Sequence, residues 1–136
     1  MKQIIVFIFF LLGISSCDKA PINGKLDGRW QLMNIENSDG NTKECYRIYY
    51  SIQLHLVEIS DKGGNGGTFI GRFSYENDEV TMSEFRHRGN EEELATLKEL
   101  EPFGLYLPTT HLKVEKATSE KLILKSEDAR LIFRKF

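Results

Sequence analysis

From residue 28 onward, apolar and polar positions alternate in steps of two, and short clusters of Gly, Asn, Asp and Ser interrupt the runs. That rhythm predicts half-buried strands joined by turns. Residues 28–36, GRWQLMNIE, set Trp30 and Leu32 on one side, and NSDGN then predicts a turn. Residues 46–59, YRIYYSIQLHLVEI, set Tyr46, Ile48, Tyr50, Ile52, Leu54 and Leu56 against Arg47, Tyr49, Ser51, Gln53 and His55. Most strands run about 3 to 10 residues, so this stretch is expected to bend or break near Ser51. Asn65-Gly66, within DKGGNGG, predicts a hairpin, because both residues accept positive φ. Residues 68–75 place Phe69, Gly71, Phe73 and Tyr75 on one face, with Gly71 marking a bulge or sharp bend. A turn at 76–78 leads into a strand over 79–85.

The period changes at RHRGNEEELATLKEL (86–100), where Leu94, Leu97 and Leu100 recur at spacing three. Asn90 would cap a helix, Glu91, Glu92 and Glu93 would sit in its anion-favouring first turn, and Pro102 would end it. The expectation is one short helix at about 91–100, lying on or across a sheet, followed by an apolar loop, PFGLYLP (102–108). Strands over 110–117, 121–126 and 130–135 close the chain. The sum is a mainly all-β fold of seven strands, or eight if the long one breaks, with all connections but one resembling hairpin loops. A meander of this kind keeps two open edges unless it closes on itself, which predicts an antiparallel up-and-down barrel. An eight-stranded barrel is just wide enough inside for side chains or one small ligand.

Ahead of the strands, Lys2 precedes an unbroken apolar run from Ile4 to Leu12. The run is too short to span a bilayer, which takes about 20 apolar residues, and suits the core of a secretory signal, roughly 7 to 15 residues. Small residues Gly13, Ser15 and Ser16 follow. ISSC (Ile14 to Cys17) resembles the bacterial lipobox. That resemblance implies cleavage after Ser16, a diacylglyceryl group on Cys17 and acylation of the new N-terminus. One acyl chain holds a protein only reversibly, whereas two or three on one residue make a lasting anchor. The alternative is an ordinary signal with a chance cysteine. The expected organisation is a signal peptide at 1–16, a lipidated tether at 17–25 containing Pro21, Asn23 and Gly24, and one domain at 26–136. The expected location is a Gram-negative cell envelope, lipid-anchored in the outer membrane, although Asp18 after the cysteine would in enteric bacteria resemble an inner-membrane retention signal.

Composition narrows the partners. Eighteen basic and 20 acidic residues give a formal net charge of −2, and losing Lys2 with the signal moves it one unit further negative. Such a balance argues against nucleic acid, which rewards dense Lys and Arg, and gives no polybasic help to membrane binding. The sequence holds two cysteines. With Cys17 spent on lipid, Cys45 has no intramolecular disulfide partner and reads as a small, slow-reacting core residue.

Catalytic patterns are sparse. His55, His87 and His111 are scattered without H-E-x-x-H, H-x-H or C-x-x-C spacing, which leaves a metal site without local support. GGNGG lacks the Lys and hydroxyl of a phosphate-binding loop. RHR at 86–88 could grip an anion through two guanidiniums, but the glutamates beside it favour a solvated charged loop. There is no G-x-S-x-G elbow. No cofactor and no catalytic residue are expected. The aromatics are more informative: Trp30, Tyr46, Tyr50, Phe69, Phe73, Tyr75 and Phe85 all fall on strands. They suit either a packed core or the wall of a pocket, and a domain of this size has little core to spare for a hole.

LDGRW (Leu26 to Trp30) opens the first strand and resembles the G-x-W signature of lipocalins, here Gly28-Arg29-Trp30. The body also resembles the small lipocalin-like lipoproteins of Gram-negative bacteria, whose tails read much like SEKLILKSEDARLIFRKF. The resemblance covers about 110 residues and is specific mainly at its front. It implies that Trp30 plugs the closed end of a barrel, under a cation–π contact from a last-strand arginine, Arg134 or else Arg130. The chain departs from lipocalins in being shorter, in its mid-chain helix and in having no lipocalin disulfide, which leaves the size of any cavity open. Two functions follow. One is a non-enzymatic barrel holding a small apolar or amphipathic ligand, with Tyr46, Tyr50, Phe69, Phe73, Tyr75, Phe103 and Tyr106 as candidate contacts and the helix and loop 102–108 as lid or rim. The other is a solid-core barrel docking an envelope protein through that loop.

Overall fold

Each predicted run of alternation folds as a strand, and the alternation is deep enough to wrap the sheet into a ring. The computed structural model describes residues 22–64 and 66–136. Its strands are β1 (Gly28–Asn37), β2 (Thr42–Gln53), β3 (Leu56–Asp61), β4 (Gly67–Glu76), β5 (Glu79–His87), β6 (Asn90–Leu94), β7 (Thr109–Ala117), β8 (Lys121–Lys125) and β9 (Ala129–Lys135). A single-turn helix, α1 (Leu97–Leu100), runs into a 3-10 turn at Glu101–Phe103, and another 3-10 turn at Gly24–Leu26 precedes β1. Neighbours pair antiparallel in chain order, β5 pairs across to β7, and β1 pairs with β9. Eight strands therefore close a barrel, and β6 hangs as a short flap on β5. Closure removes the open edges that a flat meander would expose. One end, where β1 begins, is here the closed end; the other, where β1 finishes, is the mouth.

The inner surface is apolar and the outer polar, as the two-residue rhythm demands. Leu32, Ile35, Val57, Ile59, Val80, Met82, Leu122, Leu124 and Leu131 are all essentially inaccessible to solvent. Three departures from the sequence-based expectation have local causes. The long run 46–59 breaks at Leu54–His55, not at Ser51. Gln53 pairs with Leu56 across a two-residue turn, and Leu54 takes φ +55°. No Gly, Asn or Pro announces that turn. It also resets the phase: Val57 and Ile59 point inward, whereas Leu54 and Leu56 are exposed.

The second departure lies in β2. Leu32 pairs with Ile48 and Asn34 with Glu44, so Cys45, Tyr46 and Arg47 stand opposite Met33 alone. Arg47 takes φ +53° in this bulge. The extra residues rotate Tyr46 to the outside, where it is 71% exposed.

The third is the helix. Asn90–Leu94 is strand β6, paired with β5 through His87↔Asn90 and Arg86↔Leu94, and all five of its residues are exposed. Gly89, at φ +90°, turns the chain back on β5, and consecutive glutamates have no apolar face to hold a helix down. The helix starts only at Leu97, capped by Thr96, whose hydroxyl accepts from the Glu99 N–H while the Glu99 carboxylate accepts from the Thr96 N–H. This Thr-x-x-Glu capping box, and not Asn90, marks the true start. Of the three leucines read as a stripe, only Leu100 is buried.

Gly71 behaves as its position in mid-strand suggests. The β4–β5 register shifts there, and a Cβ at Gly71 would lie 2.7 Å from the Phe85 ring and 2.9 Å from the Ser83 carbonyl oxygen. The Asn65 half of the Asn65-Gly66 turn, the 1–16 segment and Cys17 lie outside the described residues.

Candidate functional site

At the closed end Trp30 is fully buried, and its indole N–H donates to the Leu26 carbonyl at 3.0 Å. The 3-10 turn Gly24–Leu26 thus lies across the barrel floor. Asn23, nearly buried, fastens it: its side-chain amide donates to Asp27 Oδ1 at 2.7 Å and to the Leu54 carbonyl at 2.9 Å. Over the indole sits Lys135 Nζ, 4.6 Å from the ring centroid, which also donates to the Asp27 carbonyl at 2.9 Å. The expectation that Arg134 would cover Trp30 is therefore corrected. On β9, Leu131, Phe133 and Lys135 share one side by the two-residue alternation. Arg134 falls on the other side and donates to Gln31 Oε1 at 3.0 Å. Arg130 also points outward, to Glu115 and Glu36.

The geometry explains the glycine of the G-x-W triplet. Gly28 takes φ +121°, and a Cβ there would overlap the Lys135 ammonium. A side chain at 28 would be strained and would also evict the cation that covers Trp30.

At the mouth, the chain between β6 and β7 does not form an open rim. It turns inward and drives Phe103 into the barrel, where it is fully buried. The Phe103 ring centroid lies 6.4 Å from that of Tyr50 and 6.0 Å from that of Phe69, both edge-on. Tyr50 in turn meets Phe133 at 4.8 Å. The Tyr50 hydroxyl donates to the Phe103 carbonyl at 2.6 Å, and complete burial pushes the phenol well above its usual range. Gly104, at φ +81°, ends the 3-10 turn where a Cβ would collide with Leu131 and press on Ile35. Leu100 and Leu105 are buried on either side, and the Tyr106 hydroxyl donates to Asn37 Oδ1 at 2.7 Å on the rim. The segment is a cork, held by one phenol from the wall and one at the lip.

The seven aromatic candidates divide accordingly. Tyr50, Phe69, Phe73 and Phe103 meet inside the barrel. Tyr106 is half-buried at the lip. Tyr75 sits near the closed end, its hydroxyl 3.3 Å from Asp78 Oδ1, and is only partly buried. Tyr46 is outside, a correction that stems from the β2 bulge. A groove of about 400 Å³ lies at the closed end, between the turn Gly24–Leu26 and Val114–Ala117, and one of about 580 Å³ lies beside Glu79, His111 and Lys125; neither is lined by Tyr50, Phe69, Phe73 or Phe103.

One polar cluster flanks the cork. His87 Nε2 lies 3.2 Å from Glu99 Oε1 and 3.7 Å from Glu93 Oε1, while its ring meets Phe69 edge-on at 4.9 Å. Glu99 is held below the usual carboxylate range, first by the Thr96 N–H and then by the Thr96 hydroxyl and His87. In the sequence His87 reads as part of a charged loop; the Thr-x-x-Glu spacing is the signal that could have located its partner. Elsewhere, Arg88 pairs with Glu58 at 2.7 Å and Arg86 donates to the Glu91 carbonyl, so RHR presents no free anion fork. Cys45 is a free thiol whose titration is pushed up by burial, which keeps it protonated near neutrality. Among the described residues no three His, Cys, Asp or Glu side chains are placed to hold a metal ion together.

A family model described as a lipocalin-like domain matches residues 10–136. A solved lipocalin-like protein from Bacteroides uniformis is 27% identical, with a TM-score of 0.64, covering 83% of this chain and 100% of its own. A solved uncharacterized protein from Bacteroides eggerthii is 26% identical, with a TM-score of 0.63, covering 81% of this chain and 98% of its own. No functionally curated protein matches the chain.

Proposed function

The chain belongs to the lipocalin-like domain family, and from that premise we propose that it is a non-enzymatic, lipid-anchored binding protein that takes a small apolar or amphipathic ligand into its barrel when the cork withdraws. The observation that carries this reading is Phe103. A connection between strands, ending in a 3-10 turn, supplies the ring that fills the barrel between Tyr50 and Phe69. A side chain delivered by a loop can leave without breaking the β-ladder, whereas Tyr50, Phe69 and Phe133 cannot.

The exchange has a definable chemistry. Departure of Phe103 would expose an apolar hollow and free the Tyr50 hydroxyl, which is buried and demands an acceptor. A ligand that replaces the cork would present an apolar group of about ring size and a neutral carbonyl or hydroxyl oxygen for Tyr50. The alternative of a protein docking on loop 102–108 is less favoured, because Phe103 and Leu105 point into the core and Leu107 is the large apolar side chain left exposed there.

The anchor part of the proposal rests on ISSC at 14–17, and the family match begins at residue 10, inside the apolar run that precedes it. The envelope of a Gram-negative cell, at the outer membrane, is the location this reading assigns. Native mass spectrometry of protein purified from its own host tests the ligand: a reproducible co-purifying small molecule, lost when Tyr50 and Phe69 are both replaced by Ala, supports it. A ligand-free protein that also binds no apolar probe sinks it. For the anchor, Cys17→Ser should move the protein from the membrane to the soluble fraction, and unchanged membrane association would remove that claim.

A further inference from the structure

Among the described residues, the large exposed aliphatic side chains lie at the two ends of the barrel. At the closed end Ile22, Leu54 and Leu56 are 50%, 53% and 54% exposed. They form one patch: Asn23, next to Ile22, donates to the Leu54 carbonyl at 2.9 Å, and Leu56 closes the same turn opposite Gln53. A half-exposed leucine at the tip of a two-residue turn, in a positive-φ conformation that leucine rarely adopts, is an unusual surface feature for a chain with polar alternatives at no steric cost.

We propose that this closed end rests on the bilayer, with Ile22, Leu54 and Leu56 seated among the lipid headgroups and the corked mouth directed away from the membrane. The inference rests on the Cys17 anchor of the proposed function. Four residues lie between Cys17 and Ile22, and the five steps of fully extended chain reach at most about 18 Å. A ten-residue strand such as β4 is about 30 Å long and, tilted as barrel strands are, gives the barrel a height of roughly 23 Å. An anchored barrel therefore cannot set its mouth on the membrane, because Ile22 would then stand farther away than the tether allows. Leu94, Leu97 and Leu107 at the mouth are out of reach for the same reason. The Asp27 carboxylate beside the patch is engaged by the Asn23 amide. Leu56 pairs across β3–β4 with Arg72, and Lys25 is close by in the 3-10 turn. Glu76, Asp78 and Glu79 lie farther round the rim, at the β4–β5 turn. Anionic headgroups would repel that turn and lean the barrel onto its β2–β3 side.

The test uses the full-length chain purified from membranes and reconstituted in phosphatidylethanolamine–phosphatidylglycerol vesicles, with the soluble Cys17→Ser chain as reference. Amide exchange across 53–57 should slow about tenfold on the vesicle, while exchange across 94–108 stays unchanged. Leu54→Ser with Leu56→Ser should return 53–57 to the reference rate without releasing the protein. The mass of the N-terminal peptide is read in the same sample. Acyl mass present with 53–57 unprotected, or with protection at 94–108 instead, overturns the docking and leaves the anchor standing. Acyl mass absent overturns the anchor, and the docking with it.

Discussion

Replacing Phe103 by Ala separates a removable cork from an ordinary core residue. The ring is fully buried, so its deletion removes a complete aromatic contact set with Tyr50 and Phe69. Truncations of this kind cost about 3 to 5 kcal/mol, to be read as a fall in the urea midpoint at unchanged slope. The second consequence is specific to the cork. In the parent protein an apolar probe must expel the ring, worth about 1.5 to 3 kcal/mol of burial, and break the Tyr50–Phe103 bond, worth about 0.5 to 1.5 kcal/mol. Together these lower the apparent affinity by roughly 30- to 2000-fold. In Phe103→Ala the main-chain carbonyl still receives the Tyr50 hydroxyl, and the hollow stands open. Toluene should then bind about 10- to 150-fold more tightly than to the parent, as measured by calorimetric titration. Phe103→Leu should show a smaller loss of stability and a smaller gain in toluene affinity, which keeps the comparison usable if the Ala variant is only marginally folded. A destabilisation under about 1 kcal/mol, or a destabilised protein that gains no toluene binding, would refute the cork.

Other substitutions test the two ends independently. Tyr50→Phe leaves the Phe103 carbonyl buried without a donor and should cost about 1 to 3 kcal/mol in denaturant unfolding. The parent should also lose stability as pH climbs above about 10, because the folded-state phenol resists an ionisation that the unfolded chain allows; Tyr50→Phe should flatten that alkaline slope, and an identical slope in both proteins would exclude Tyr50 as its source. Gly28→Ala should destabilise by about 1 to 3 kcal/mol through strain at positive φ and loss of the seat for Lys135, and a neutral result in a thermal melt would contradict the floor geometry. Thr96→Ala, which removes the hydroxyl of the capping box, should cost about 0.5 to 2 kcal/mol and speed amide exchange at 97–100, whereas unchanged exchange there would show that the helix does not depend on its cap.

The barrel was legible because alternation survives in most strands: Trp30 and Leu32, Phe69 and Phe73, Leu122 and Leu124, Leu131 and Phe133 all face inward as their spacing demands. The same rhythm misled wherever an irregularity inserted residues without a turn signature. Arg47 and Leu54 adopt positive φ although neither is Gly or Asn; the bulge at Arg47 throws the preceding Tyr46 out of phase, and the turn at Leu54 shifts the strand residues that follow it. Lys135 was readable from its parity with Phe133, but the expectation of an arginine pointed one residue too early. Leucines at spacing three mimicked a helical stripe across a flap and a single helical turn. The cork itself had no local signal. PFGLYLP announces an apolar loop, yet only the packed structure tells whether such a loop faces solvent or dives into the barrel, because that choice depends on Tyr50 of β2 reaching the Phe103 carbonyl and on Gly104 fitting against Ile35 and Leu131 of distant strands.

Ring closure through β1 and β9 has a kinetic consequence. The Lys135 ammonium and the Asp27 carbonyl it binds are 108 residues apart, and β1 lacks one of its two partners until nearly the whole chain is available. Contacts of such long range make folding slow, and a nascent chain emerging from the ribosome cannot seal itself early. If the chain is exported unfolded, as the proposed envelope location requires, this late latch would be an advantage: the first strand would stay unclosed through transit, and the last strand to arrive would lock the cylinder on the far side.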